Sequence, residues 1–197
     1  YAQKNKKVFL DELIAFSSIP SISTDPEAKK DMEKTAHWVA DKLVSIGIDQ
    51  VKIYPTVGHP IVYGEALKAE GAPTVLIYGH YDVQPAIPLE KWESDPFTPE
   101  VRDNSLYARG ATDMKGQVAA TIDAVEAILK TSALPVNVKF IIEGEQEIGS
   151  PNLGTFIEDH RDLLACDFAL NPDTGMVAPD LPTITYALRG LAYFEIR

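Results

Sequence analysis

Two apolar runs, residues 74–78 and 136–142, constrain this chain more than any other feature. Each is short, rich in β-branched and aromatic residues, and bounded by turn signals, which reads as a strand covered on both faces. Each ends abruptly in polar residues. The first stops at Gly79-His80-Tyr81-Asp82, the second at Glu143-Gly144-Glu145-Gln146-Glu147-Ile148-Gly149-Ser150. Buried strands need helices to cover them, and the chain supplies helical stripes. Met32, Ala36, Val39, Leu43 and Ile46 step by four and three through a helix expected over 26–46, which Gly47 stops. Val118, Ile122, Val125 and Leu129 mark a second. Helices over 5–17 and 151–164, and strands over 51–54, 60–66, 105–110 and 167–170, complete the alternation. The expected fold is α/β: a three-layer α/β/α architecture with a mostly parallel mixed sheet.

With 197 residues the chain is long enough for one such domain. A formal net charge of −11 argues against a nucleic-acid or anionic-membrane surface, and no apolar run is long enough to span a bilayer. The single cysteine, Cys166, excludes an internal disulfide framework and suits a reducing cytoplasm; beside strand 167–170 it reads as a packed thiol. The first residues, Tyr1-Ala2-Gln3, carry neither an initiator Met nor a signal-peptide pattern, so the chain reads as trimmed. Residues 84–104, rich in proline and turn residues, read as a long functional loop anchored by Trp92 and Phe97.

Four polar turns follow strand candidates: His80-Tyr81-Asp82, Asp113, Glu145-Gln146-Glu147 and Asn171-Pro172-Asp173. Singly, each has a plainer explanation. An aspartate before a helix is most often a cap, glutamates at a helix entrance complement its dipole, and Pro-Asp is a common turn pair. Together, at successive strand ends, they converge where open α/β sheets bind ligands. Clustered carboxylates need a cation. One imidazole among them suits zinc, manganese or cobalt better than magnesium. Asp82 stands where it can orient the His80 ring.

The segments Tyr78-Gly79-His80-Tyr81-Asp82-Val83-Gln84-Pro85, Arg109-Gly110-Ala111-Thr112-Asp113-Met114-Lys115-Gly116 and 143–150 resemble, in order, the signatures of a zinc metallopeptidase family. That family contains carnosinase, glutamate carboxypeptidase, aminoacylase and succinyl-diaminopimelate desuccinylase, and the His80 segment looks most like its dipeptidase branch. The resemblance implies a cocatalytic pair of zinc ions. His80, Asp113 and Asp173 match the ligands of one, Asp113 and Glu147 those of the other, with Asp113 bridging. Asp82 matches the residue supporting His80, and a cis peptide bond is expected after Asp113. The implied reaction is hydrolysis of a dipeptide, or a related amide with a free carboxylate, by a metal-activated water. An amide deacylase on the same scaffold and a non-catalytic metal- or peptide-binding module are the alternatives.

Two departures stand out. The family's general base is the glutamate preceding the metal-binding one, and here that position is Gln146, which cannot accept a proton at neutral pH. A deliberate inactivating change is the first explanation, a natural pseudoenzyme the second. Family members are also longer, with a lid or dimerisation domain and a returning segment that brings one more histidine ligand. Residues 1–189 thus read as the N-terminal part of the catalytic domain, and 190–197 as the approach to the lid through which a parent homodimer would form. Residues 183–197 are expected to include the last catalytic strand, and an exposed apolar patch is expected where the returning segment would pack. The remaining histidines, His37, His59 and His160, match no missing ligand; His160 reads as a cation at the end of helix 151–164.

Overall fold

The computed structural model describes residues 1–196. Its centre is a five-stranded mixed sheet in the order β1-β2-β6-β3-β7. The strands are β1 (Gln50–Tyr54), β2 (Ile61–Ala66), β3 (Thr74–His80), β6 (Asn137–Glu143) and β7 (Phe168–Leu170). Pairings β1/β2 and β2/β6 are antiparallel, while β6/β3 and β3/β7 are parallel. The two apolar runs are thus neighbours. β6 is the buried heart of the sheet, and β3 extends past its apolar run so that His80 is its last residue.

Side chains alternate across this sheet and divide two cores. Val62, Phe140 and Ile142 face one side, where they meet α1 (Ala2–Ser17), α2 (Lys29–Ile46) and α3 (Lys115–Leu129) through Phe16, Met32, Val39, Leu43, Val118 and Ile122. Ile61, Tyr63 and Ile141 face the other and meet α4 (Leu153–Asp159) and α5 (Arg161–Leu164) through Phe156 and Leu164. The expected three layers are present. Gly47 ends α2 at φ 102°, a left-handed turn that glycine adopts without strain.

Four local expectations fail. The helix over 151–164 is two, α4 and α5, broken at His160. The His160 ring stacks on Phe156 at 4.2 Å and meets Tyr54 edge-on at 5.0 Å, so its aromatic packing outweighs helix continuity. The loop over 84–104 ends in a hairpin apart from the main sheet, β4 (Glu100–Arg102) with β5 (Ser105–Tyr107). Asp103 and Asn104 turn it at φ 48° and 60°, the geometry of a two-residue hairpin loop. Strand 167–170 is an exposed edge and Cys166 is exposed, because nothing among the described residues covers the outer side of β7. Residues 183–196 form no strand; Ile184, Tyr186, Leu188 and Tyr193 face solvent. Arg197 lies outside the described residues.

One charged cluster joins all three helices of the larger core. Lys42 on α2 is buried and its ammonium sits 2.7 Å from Glu12, 2.8 Å from Glu126 and 3.5 Å from Asp123. The three acids are within metal-ligating reach of one another, but the lysine already fills their centre. Burial pushes the Asp123 carboxyl up to about 6 despite Lys42, with Glu12 and Glu126 adding repulsion. The folded state therefore holds that proton more tightly than the unfolded chain. The benefit is complete below about pH 4 and is lost as pH rises toward 6. Lys42→Met is expected to destabilise the fold by about 3 kcal/mol, because it leaves three crowded, half-buried carboxylates without their cation. Asp123→Asn is expected to leave stability unchanged or higher at pH 7. Urea denaturation at pH 4 and pH 7 checks both.

Candidate metal centre

Parallel pairing sets β3 and β6 in register, so that His80 stands opposite Glu143 at their carboxyl ends. The turn after β7 delivers Asp173 to the same end, and the turn before α3 delivers Asp113. His80 is fully buried. Its Nε2 lies 3.3 Å from Asp113 Oδ1 and 3.7 Å from Asp173 Oδ2, and one ligand atom from each of the three residues lies within 4.8 Å of the others. Neither contact is aligned as a hydrogen bond, leaving a buried ring nitrogen unpartnered. An orphaned imidazole nitrogen facing two carboxylates is the donor set of a borderline divalent cation, so the residues fit one. The Asp113–Met114 peptide bond is cis.

Asp82 organises the surroundings. Its carboxylate is buried, and Oδ1 is 3.2 Å from His80 Nδ1. The two oxygens also accept the backbone N–H groups of Gln146 (3.2 Å) and Glu147 (3.0 Å). His80 Nδ1 also lies 3.1 Å from the Asp82 backbone oxygen, so one residue, through carbonyl and carboxylate together, turns Nε2 toward Asp113 and Asp173 and seats the short helical turn Gln146–Ile148 beside them.

The acidic turn separates into distinct environments. Glu143 is buried and accepts from Tyr78 and Ser150, both at 2.7 Å. Glu145 is buried and accepts from His59 N (3.1 Å) and Asn152 Nδ2 (2.8 Å), pinning the loop before β2. Gly144 lets the turn close: a Cβ there would stand 2.3 Å from Tyr81 Oη. Glu147 stays partly open, and its Oε2 accepts from Gln84 at 2.8 Å. The Gln146 side chain makes no hydrogen bond among the described residues.

Charge is unbalanced here. Burial pulls His80 down, but the hydrogen bond and charge of Asp82, with Asp173, raise it above the usual imidazole range. Asp173 and Glu147 both lie above the usual carboxylate range, mainly through burial, with Asp113 adding repulsion. A divalent cation would remove that repulsion.

Sequence reasoning left two residues without a role. Gln84 holds Glu147, and its place two residues after Asp82 in the same turn was the available signal. Lys115 is wholly buried and donates to Phe16 O (3.0 Å) and Ile19 O (2.7 Å) at the end of α1. Burial pushes it down to about 7, against the pull of Asp82 and Asp31. No pattern in the sequence marks it as buried.

The description Peptidase family M20/M25/M40 matches residues 76–185. A cysteinylglycine-S-conjugate dipeptidase of Corynebacterium striatum is 33% identical over 98% of this chain and 43% of its own length. A Beta-Ala-His dipeptidase of Rattus norvegicus is 35% identical over 95% of this chain and 40% of its own. The solved structure of human carnosine dipeptidase 1 superposes with a TM-score of 0.82 at 32% identity, covering 88% of this chain and 40% of that one. The sheet, its helices and the ligand-like cluster define the catalytic fold of a metallohydrolase. The chain belongs to peptidase family M20/M25/M40, in its carnosinase and Cys-Gly dipeptidase branch, and spans less than half the length of these relatives.

Asp82→Ala is expected to cost about 2–4 kcal/mol of stability, because it leaves two backbone N–H groups without an acceptor and removes the carboxylate beside His80, whose Nδ1 keeps only the residue 82 carbonyl at 3.1 Å. It is also expected to weaken zinc binding about 10- to 100-fold. Urea denaturation and zinc titration calorimetry check the two effects separately.

Proposed function

We propose that this chain is the N-terminal part of the catalytic domain of a zinc-dependent dipeptidase, with residues 190–197 leading into a lid. The observation that carries the reading is the buried, unpartnered His80 Nε2 facing Asp113 and Asp173. His80, Asp113 and Asp173 would hold one zinc, and Asp113 and Glu147 the second, completed by a histidine from the rest of the protein. The Asp113 side chain is 60% exposed on the solvent side of His80, which suits a bridging carboxylate. Manganese or cobalt are chemically acceptable replacements.

Bound there, two such ions supply Lewis-acid polarisation of an amide carbonyl and lower the pKa of a water toward neutrality. The chain's own residues orient and shield. Asp82 holds the His80 ring in place, and Gln84 aims the Glu147 carboxylate. Gln146 occupies the family's general-base position. Its amide can hydrogen-bond water but cannot take its proton or return one to a leaving amine. Hydrolysis is therefore severely reduced by this residue, and binding at the second metal position is weakened in the chain alone, which lacks that histidine.

The names of the relatives favour a dipeptide substrate over an acylated amino acid. The setting in this reading is cytoplasmic, and the parent protein is a homodimer formed through the lid. The exposed Phe168 and Leu170 of β7 mark where further polypeptide would pack.

Gln146→Glu in the full-length protein is expected to raise dipeptide hydrolysis at least about 100-fold, the usual scale of a positioned base. Rates on cysteinylglycine, β-alanyl-histidine and acyl amino acids measure it. A change under tenfold on every substrate would sink the base assignment. Turnover confined to acyl amino acids would replace the dipeptidase with a deacylase.

A further inference from the structure

The residues around the centre come from two bodies. His80 ends β3 and Asp82 follows it in the next turn, whereas Asp113 belongs to the turn that opens α3. Residues 16–23 lie against both. On the Asp113 side, the buried Lys115 donates through Nζ to Phe16 O and Ile19 O, and its ammonium lies 5.0 Å from the Phe16 ring. Its backbone N–H closes the turn on Gly110 O at 3.0 Å. On the His80 side, the buried Ser21 hydroxyl donates to Tyr81 O at 2.7 Å. Val83 N–H donates to Ser21 O at 2.9 Å, and Ile22 bridges to Val83.

The two sides also touch directly. A Cβ on Gly110 would stand 2.6 Å from Val83 Cγ1 and 3.4 Å from Lys115 Cδ. Phe16, Ser17, Ile19, Ser21 and Ser23 are all buried, and Phe16 stacks on Trp38 at 4.2 Å, so the segment is locked from behind. It carries no charged side chain of its own. Without Lys115, Phe16 O and Ile19 O would keep only the backbone N–H groups of Ile19 (3.4 Å) and Ser21 (2.9 Å), and the segment would lose its tie to α3. Without the Ser21 hydroxyl, the Tyr81 carbonyl next to His80 would lose its bond to the segment.

We propose that residues 16–23 are a brace that sets the separation of the His80 and Asp113 halves of the centre, with Lys115 and Ser21 as its positioning residues. The inference rests on the metal reading above, and its test is built to fail separately from it.

Zinc affinity is measured by titration calorimetry on this chain, on Lys115→Met, on Ser21→Ala and on the double variant, each first shown to be folded by near-ultraviolet circular dichroism. The visible spectrum of the cobalt-loaded forms reports ligand geometry directly. Each single variant is expected to bind zinc about 10- to 100-fold more weakly, with a shifted cobalt spectrum. The double variant is expected to lose less than the product of the two, because either change releases the same element. Leu43→Ala, which weakens the core between α2 and β2, is expected to lower the melting temperature and leave zinc affinity within twofold. Single variants that bind zinc within twofold of the parent overturn the brace, as does a strictly multiplicative double variant. A parent chain that binds no zinc overturns the metal reading itself, and the brace with it. If Lys115→Met fails to fold, Ser21→Ala, which removes one hydroxyl, decides by the same criterion.

Discussion

The centre depends on one buried carboxylate. Asp82 is inaccessible to water, and burying an ion is costly unless donors surround it. Its partners are the His80 ring and two successive backbone N–H groups, Gln146 and Glu147. Those contacts stabilise the charge and perform the assembly: the end of β3 becomes tied to the turn after β6, and the imidazole is left with one nitrogen pointing outward. Three residues distant in sequence then share a volume small enough for a single cation.

The sheet makes this arrangement available. Because β6 and β3 run parallel and in register, their polar ends emerge at one level, and β7 adds Asp173 from the same edge. The strands that make the domain stable therefore also choose which turns meet. Glu143 and Glu145 show the division of labour. Both are buried among neutral donors and hold the turn in shape, while the more open Glu147 remains free to face a ligand. Gln146 keeps the backbone contact of that turn but brings no charge to it.

Much of this was legible in the sequence because it is local or periodic. Apolar runs announced β3 and β6, the four-three stripe announced α2, and the polar residues at strand ends announced the cluster. The order of the motifs announced the family. What could not be read depends on contacts between distant segments. Lys115 looks like any lysine at a helix start, and only the fold buries it against the carbonyls of α1. His160 carries helix-compatible neighbours, yet Tyr54 and Phe156 hold its ring where the helix breaks. Residues 183–188 alternate as a strand should, but alternation gives no partner to pair with. Cys166 looked buried because its neighbours are apolar, while the edge beside it is uncovered.

The central claim is that a cation belongs between His80, Asp113 and Asp173. Anomalous X-ray diffraction at the zinc absorption edge, from crystals grown with zinc, tests it most directly. The account predicts a peak within bonding distance of His80 Nε2 and of a carboxylate oxygen of both Asp113 and Asp173. A peak among Glu12, Asp123 and Glu126 instead, or none near His80, would contradict it.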